Sequence, residues 1–440
     1  MTTLASGWRF PRRRPVRMLL LALAILIGAI GVRTWQAMEM QATPKPPPAP
    51  VALSSQEVIQ KMEERLRRNP DDTFAYAQLG LGLLQQVRER GDVTYYNRAG
   101  QAFTAALARD PQQVDALVGQ GVLALALHDF RGALDWADKA WAINPYRAEI
   151  LGIRVDGQVE LGRYPEAVAT LQQMVDLRPD LSSYSRIAYL RELHGDVIGA
   201  SEAMRSAVKS AVPGTESWLW TLTQLGNLYF NRGDLASAEE IYQQALELRP
   251  DYPYALAGLA RVRAAQGEVA DAIDRYQAIT ARLPLPAFVI ELGELYAMTG
   301  DEAAAQQQFD LVRTIQQLNA AAGMNVDMEM ALFNANHGHD PAATVAQARA
   351  AYADRPTLYA ADTLAWALYQ QGSYIEAQQY SNEARRLNTQ DALLYFHAGM
   401  IEKALGNLDA GQRYLAQALR INPYFSLQYA AQARALTGGE

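Results

Sequence analysis

Residues Leu225–Pro250 read LGNLYFNRGDLASAEEIYQQALELRP. Leu225, Gly226 and Tyr229 share one face at helical spacing. Gly233 interrupts that helix, and Asp234 stands where a side-chain oxygen caps the next one. Ala238, Tyr242 and Ala245 recur at steps of four and three, and Pro250 ends the run. Two short helices therefore fold back on each other, with small residues where they touch and large ones between. The stretch is a helical hairpin.

The same signals return in register along the chain. Pro111, Pro145 and Pro179 are 34 residues apart, as are Pro250 and Pro284, and Thr389 and Pro423 repeat the interval. Turn glycines are expected at Gly162, Gly195, Gly233, Gly267, Gly300, Gly338, Gly372 and Gly406. Five residues after most of them stands alanine: Ala167, Ala200, Ala238, Ala272, Ala305, Ala343 and Ala377, with Gly411 after Gly406. This pattern resembles the tetratricopeptide repeat, a 34-residue helical hairpin with a Leu-Gly pair, a Tyr three positions on, a mid-unit Gly and a closing Pro. The resemblance implies an all-α fold, a right-handed α-solenoid of about ten units plus terminal caps over residues 54–440; a single N-terminal transmembrane helix is expected ahead of it from the apolar run described below.

Composition agrees with that class. A 440-residue chain rarely forms one compact core, whereas a solenoid grows by contacts between neighbours only. Half the residues are hydrophobic and none is cysteine, which removes disulfides, thiolate metal sites and a cysteine nucleophile. Charge is uneven: seven of the 40 basic residues but one of the 47 acidic ones lie within residues 1–50, leaving a body with thirteen more acids than bases. Such a body is a poor match for nucleic acid, which needs a basic surface.

The N-terminal region divides into a basic segment (1–17), an apolar helix (18–35) and a proline-rich linker (36–53). Met18–Val32, MLLLALAILIGAIGV, is closed by Arg17 and Arg33. As a helix it spans about 22 Å, short of a bilayer core of about 30 Å, and snorkelling arginines and Trp35 lengthen it. An uncleaved single-pass anchor is the expectation; a cleaved secretory signal and a transit peptide are the alternatives. Five arginines before the apolar run place the N-terminus in the cytoplasm and the repeats outside it. TPKPPPAP at Thr43–Pro50 reads as a stiff polyproline stalk. Ser54 and Glu57 then form a capping box for a first helix running to about Arg68.

Three irregularities stand out in the array. A charged loop is expected from Gln85 to Thr94. The unit Leu181–Val212 is degenerate, with Tyr189 where a small residue belongs, and Pro213–Glu216 is an insertion that reads as a joint near 210–217. The second helix after Gly300 is expected to run on to about Ala322, and Phe425–Leu436 reads as a final covering helix.

No catalytic or cofactor signature is present: no G-x-S-x-G, H-E-x-x-H, P-loop, calcium loop or dinucleotide fingerprint. His337-Gly338-His339-Asp340 reads as an exposed turn rather than a metal site, and His128 and His194 as equivalent turns. The acidic residues are assigned to helix caps and outer faces. No cofactor and no enzymatic activity are expected. In the repeats this chain resembles, first helices line a concave groove that takes an extended peptide or a helix. Carried over, the groove positions are Trp220, Asn227 and Phe230; Tyr254 and Arg261; Tyr359, Trp366 and Tyr369; and Phe396 and Met400, with Thr223, Asp362, His397 and Lys403 beside them. Aromatics are over-represented in binding hot spots, although the same rings also serve to pack neighbouring helices. The clamp by which some repeats grip a carboxyl terminus is incomplete, since Thr223 and Gly258 replace its Lys and an Asn. The expected role is a scaffold for a protein partner, or else an accessory or assembly subunit of a membrane complex. An enzyme-associated regulatory module is the remaining alternative.

Overall fold

The computed structural model describes residues 54–338 and 340–438, which fold as one unit. The anchor expected at 18–35 and the linker at 36–53 lie outside the described residues. Among the described residues no helix is long and apolar enough to cross a membrane.

Twenty-two helices follow one another, and no strand occurs among the described residues. A leading helix, α1 (Ser55–Arg68), opens on the Ser54–Glu57 capping box. Ten hairpins follow: α2 (Thr73–Arg90) with α3 (Thr94–Arg109), α4 (Val114–Ala126) with α5 (Phe130–Ile143), and α6 (Ala148–Glu160) with α7 (Tyr164–Leu177). Next come α8 (Leu181–Leu193) with α9 (Val197–Ser210), α10 (Glu216–Phe230) with α11 (Leu235–Leu248), and α12 (Pro253–Ala265) with α13 (Val269–Thr280). The last four are α14 (Pro286–Met298) with α15 (Glu302–Ala321), α16 (Asp327–His337) with α17 (Pro341–Asp354), α18 (Leu358–Gln371) with α19 (Tyr374–Ala384), and α20 (Ala392–Ala404) with α21 (Leu408–Ile421). A final helix, α22 (Tyr429–Thr437), covers the end.

In five of the ten hairpins the turn is set by an aspartate that accepts a hydrogen bond from the third residue of the second helix. Asp129, Asp196, Asp234, Asp301 and Asp340 do this, each satisfying an otherwise free N–H at the helix start. The first helix of each pair is the inner layer. In α10 ten residues are buried, in α11 only Ala238, Tyr242 and Ala245. The Tyr242 ring fills the space between Gly226 of its own hairpin and Gly258 of the next, where any Cβ would collide with the ring. Phe103 occupies the same socket between Gly80 and Gly119. Glycine is required there because backbone and ring share the space, and the ring excludes water from the joint between units.

The solenoid winds back onto itself. Each of the first five hairpin turns meets the start of the hairpin six units further on, or, for the fifth, the start of the C-terminal cap. Gly91 in the first turn lies against Leu283 and Leu285, just ahead of α14, with Tyr254 Oη of the sixth hairpin also donating to the Arg88 carbonyl (3.3 Å), and the Asn325 N–H donates to the Leu127 carbonyl (2.9 Å). The Leu358 N–H donates to Tyr164 Oη (2.9 Å), Thr389 Oγ1 donates to the Leu193 carbonyl, and Asn422 Nδ2 donates to the Phe230 carbonyl (3.0 Å). The Arg131–Asp354 ion pair lies along the same line. Gly162 and Gly195 adopt positive φ and press so closely on the Pro356 and Asn388 carbonyls that a Cβ would overlap them. Gly267, Gly300, Gly372 and Gly406 have equally positive φ and nothing within 4 Å, so the later turns have no coil beneath them.

The structure corrects several expectations. The charged loop at 85–94 is mostly helix: α2 continues to Arg90 and only Gly91–Val93 separate it from α3, because Gln85, Arg88 and Glu89 bond one another along the helix. The insertion at 213–216 interrupts no packing, for one core cluster runs from Ala188 through Trp218 to Val262. Gly338 is extended rather than left-handed, and His337 is no exposed turn residue. Its ring stacks on Phe309 at 4.3 Å, beside Phe333 and 3.3 Å from Glu294. His128 does occupy a turn, but it lies on the winding contact, with Nδ1 2.8 Å from the Asn325 carbonyl.

Candidate functional site

Three adjoining cavities of about 580, 620 and 600 Å3 lie along the inner helices, the first two between the coils and the third within the first coil. His128 and Glu329 line both the first and the second, and Asp156 and Tyr189 line both the second and the third, so the three form one continuous inner surface. Its chemistry changes along its length. The first cavity is mainly apolar, walled by Tyr254, Pro284, Ile290, Val312 and Phe333. The second is acidic and aromatic. The third carries amides and arginines: Gln224, Asn227, Asn231, Arg186 and Arg261.

The groove residues expected from the sequence divide into two groups. Trp220, 37% exposed, lines the third cavity with Asn227 and Arg261. Asn227 accepts the Tyr242 hydroxyl hydrogen bond at 2.7 Å, which fixes its amide, and the Arg261 guanidinium lies 4.1 Å from the Phe230 ring centre. Phe230 itself is buried, a platform for Arg261 and not a wall of the groove. Tyr254 lines the first cavity and Tyr359 the second.

The C-terminal aromatics are placed otherwise. Trp366 is 2% exposed and Phe396 0%. Trp366 is sandwiched between His397 (4.1 Å) and Tyr369 (4.7 Å) and donates its indole N–H to Asn336. Phe396 is stacked under Tyr429 of α22 at 4.8 Å. Both belong to the core that the covering helix completes, and neither is accessible to an incoming side chain. Tyr369 and Met400 are partly buried against that same core.

The second cavity contains what the sequence reading did not single out. Asp156, Glu160, Glu329 and Asp391 face it beside Asp362, which the carried-over groove positions include; the types and spacing of the other four resemble ordinary helix-surface acids. Burial raises the carboxyl pKa of Glu160 and Asp391, and it pushes Glu192, on the adjoining wall, up to about 7. Enclosure by protein with few compensating cations is the physical cause. Tyr189, the residue that makes the fourth unit look degenerate, is 38% exposed into this space.

Sequence profiles of the tetratricopeptide repeat match residues 84–148, 229–288 and 392–425. The chain carries tetratricopeptide repeats. It is 26% identical to the Arabidopsis thaliana protein CTR9 homolog over 264 residues, 58% of this chain and 23% of that protein. It is also 26% identical to the Komagataeibacter xylinus cellulose synthase 1 operon protein C over 223 residues, 51% of this chain and 14% of that one. The chain thus spans less than a quarter of the length of either relative. A solved structure of a monomeric IFIT1 mutant with Gppp-AAAA superposes with a TM-score of 0.47 at 18% identity, covering 75% of this chain and 76% of that one.

Proposed function

We propose that this repeat protein is a non-catalytic scaffold that holds an extended segment of a protein partner along its inner surface. One observation carries the reading: Trp220 and Tyr189 are each more than a third exposed inside a continuous inner channel, with Tyr254 and Tyr359 partly buried along its wall. Large amphipathic rings that stay accessible inside a rigid concave wall supply binding energy at low entropic cost. The Met18–Val32 run supports a single-pass anchor, with the N-terminus cytoplasmic and the repeats held outside on the proline stalk.

Replacing Trp220 by a photo-crosslinking amino acid in intact cells tests the scaffold. Adducts with one or a few proteins are expected from that position, and none from the same probe at Tyr146, which is exposed outside the channel. Identical adducts from both positions would remove the inner surface from the account. The second reading, an accessory or assembly subunit of an envelope complex, is favoured by the likeness to a protein named for a cellulose synthase operon. Stoichiometric recovery with a mature complex would favour it.

A further inference from the structure

The second cavity has more negative charge than the protein neutralises. Its five carboxylates face one guanidinium, that of Arg355. Arg355 is 2% exposed, lies 3.0 Å from Glu329 and 3.7 Å from Glu160, and sits over the Phe130 ring at 5.3 Å. The chain thereby displays how this wall receives a cation: two carboxylates and an aromatic face. Asp156 is matched from the side by Arg186, whose two nitrogens approach its two oxygens at 2.8 and 2.5 Å.

The rest has no such partner. Asp391 accepts from the backbone N–H of Leu393, at 2.9 Å, and Glu192, on the adjoining wall of the third cavity, from the amide of Asn231, at 3.4 Å. Asp362, which lines the cavity, is 5% exposed; its Oδ2 meets His397 Nδ1 at 2.8 Å, and its Oδ1, buried, has no hydrogen-bond partner. None of the three has an arginine or lysine within ion-pair distance among the described residues. Beside them stand Tyr189 and Tyr359. Carboxylates left uncompensated in an enclosed wall are costly unless a cation joins them.

We propose that this cavity receives an arginine or lysine side chain of the partner segment, between Tyr189 and Tyr359 and against Asp391, Glu192 and Asp362. The proposal rests on the groove reading above and narrows its occupant to a basic, extended peptide. The apolar first cavity and the amide-rich third take the flanking residues, so the cation selects and the neighbours anchor.

Three fluorescent twelve-residue peptides test it, identical except for a central Arg-Ala-Arg, Gln-Ala-Gln or Glu-Ala-Glu, titrated into the full chain by anisotropy. The Arg peptide is expected to bind at least about tenfold more tightly than the Gln peptide, weakening with salt, and the Glu peptide more weakly still. In Glu192→Gln/Asp391→Asn the Arg preference is expected to fall below about threefold, while Glu240→Gln, on the exposed outer helix α11, leaves it unchanged. Circular dichroism confirms that the variants fold, and asparagine at 391 still caps α20. Equal binding of all three peptides, or a preference that survives the double variant, overturns the cation site and leaves the groove reading standing. An Arg peptide that binds only after residues 1–17 are removed assigns the cavity to the chain's own arginines and overturns the partner. Binding of none of the three, with or without residues 1–17, overturns the groove reading as well.

Discussion

Two kinds of joint hold this molecule together, and they differ in almost every physical respect. The joint between neighbouring units is a socket: Tyr242 sealed between Gly226 and Gly258, fully buried and made from residues some 16 apart. The joint between successive coils is a line of turn-to-turn contacts joining residues 192–197 apart, made largely by backbone carbonyls, tyrosine hydroxyls and amides. The first kind is dry and hydrophobic, so it dominates stability. The second is polar and narrow; each hydrogen bond adds about 1 kcal/mol net, and together they fix how tightly the solenoid winds. Stability and shape are thus assigned to different residues, and only the second set decides whether the inner surface is an open trough or a closed channel.

Substitutions that strike one joint and spare the other separate the two. The largest effect is expected from Tyr242→Ala, about 3–5 kcal/mol by urea unfolding, since it empties a socket that two glycines cannot refill. Gly162→Ala is expected to cost about 1–3 kcal/mol more than Gly406→Ala. Both glycines have positive φ, 71° and 82°, so backbone strain is common to the two, but only a Cβ at 162 meets the Pro356 carbonyl. In small-angle scattering Gly162→Ala should also enlarge the particle, while circular dichroism stays unchanged. Equal costs for the two alanines would show that the coils do not bear on each other in solution.

Glu192→Gln should sharpen the comparison through pH. The folded carboxyl titrates near 7, above the ordinary glutamate value of 4.5, so the folded chain holds a proton that the unfolded chain releases. The stability from this group is therefore present below about 4.5 and lost as pH rises toward 7. The glutamine variant is expected to be more stable than wild type by about 1–3 kcal/mol at pH 8 and nearly equal at pH 4.5. A difference that does not change with pH would rule out the enclosed carboxylate as its source. Smallest is Tyr164→Phe, which leaves the Leu358 N–H without its acceptor and should cost about 1 kcal/mol.

How much could be read from residues alone follows the same division. Gly226, Tyr242 and the Gly-Asp turns are local and repeat in register, so the hairpins and their caps are legible in the chain. The winding contacts are not, because a carbonyl carries no residue signature and nothing in a 34-residue period announces a partner six units away. The groove was partly legible. Trp220, Tyr254 and Tyr359 stand at first-helix positions and face the channel, whereas Trp366 and Phe396 stand at equivalent positions and are sealed by α22. The tail Phe425–Leu436 reads as a covering helix, but which aromatics it covers depends on three-dimensional packing. The acidic wall escaped for a related reason: Asp156, Glu160 and Asp391 become neighbours only when two coils are brought together.

Repeat arrays ordinarily gain or lose a unit without harm, since each hairpin answers only to those beside it. Here Tyr164 must find Leu358 while Leu193 finds Thr389. Deleting one hairpin between Gly233 and Leu283 would slide every later rung past its counterpart, like a zip mated one tooth out. The number of units separating the coils is therefore a fixed quantity of this molecule, and lengthening or shortening it at that place would cost the channel even if every surviving hairpin folded.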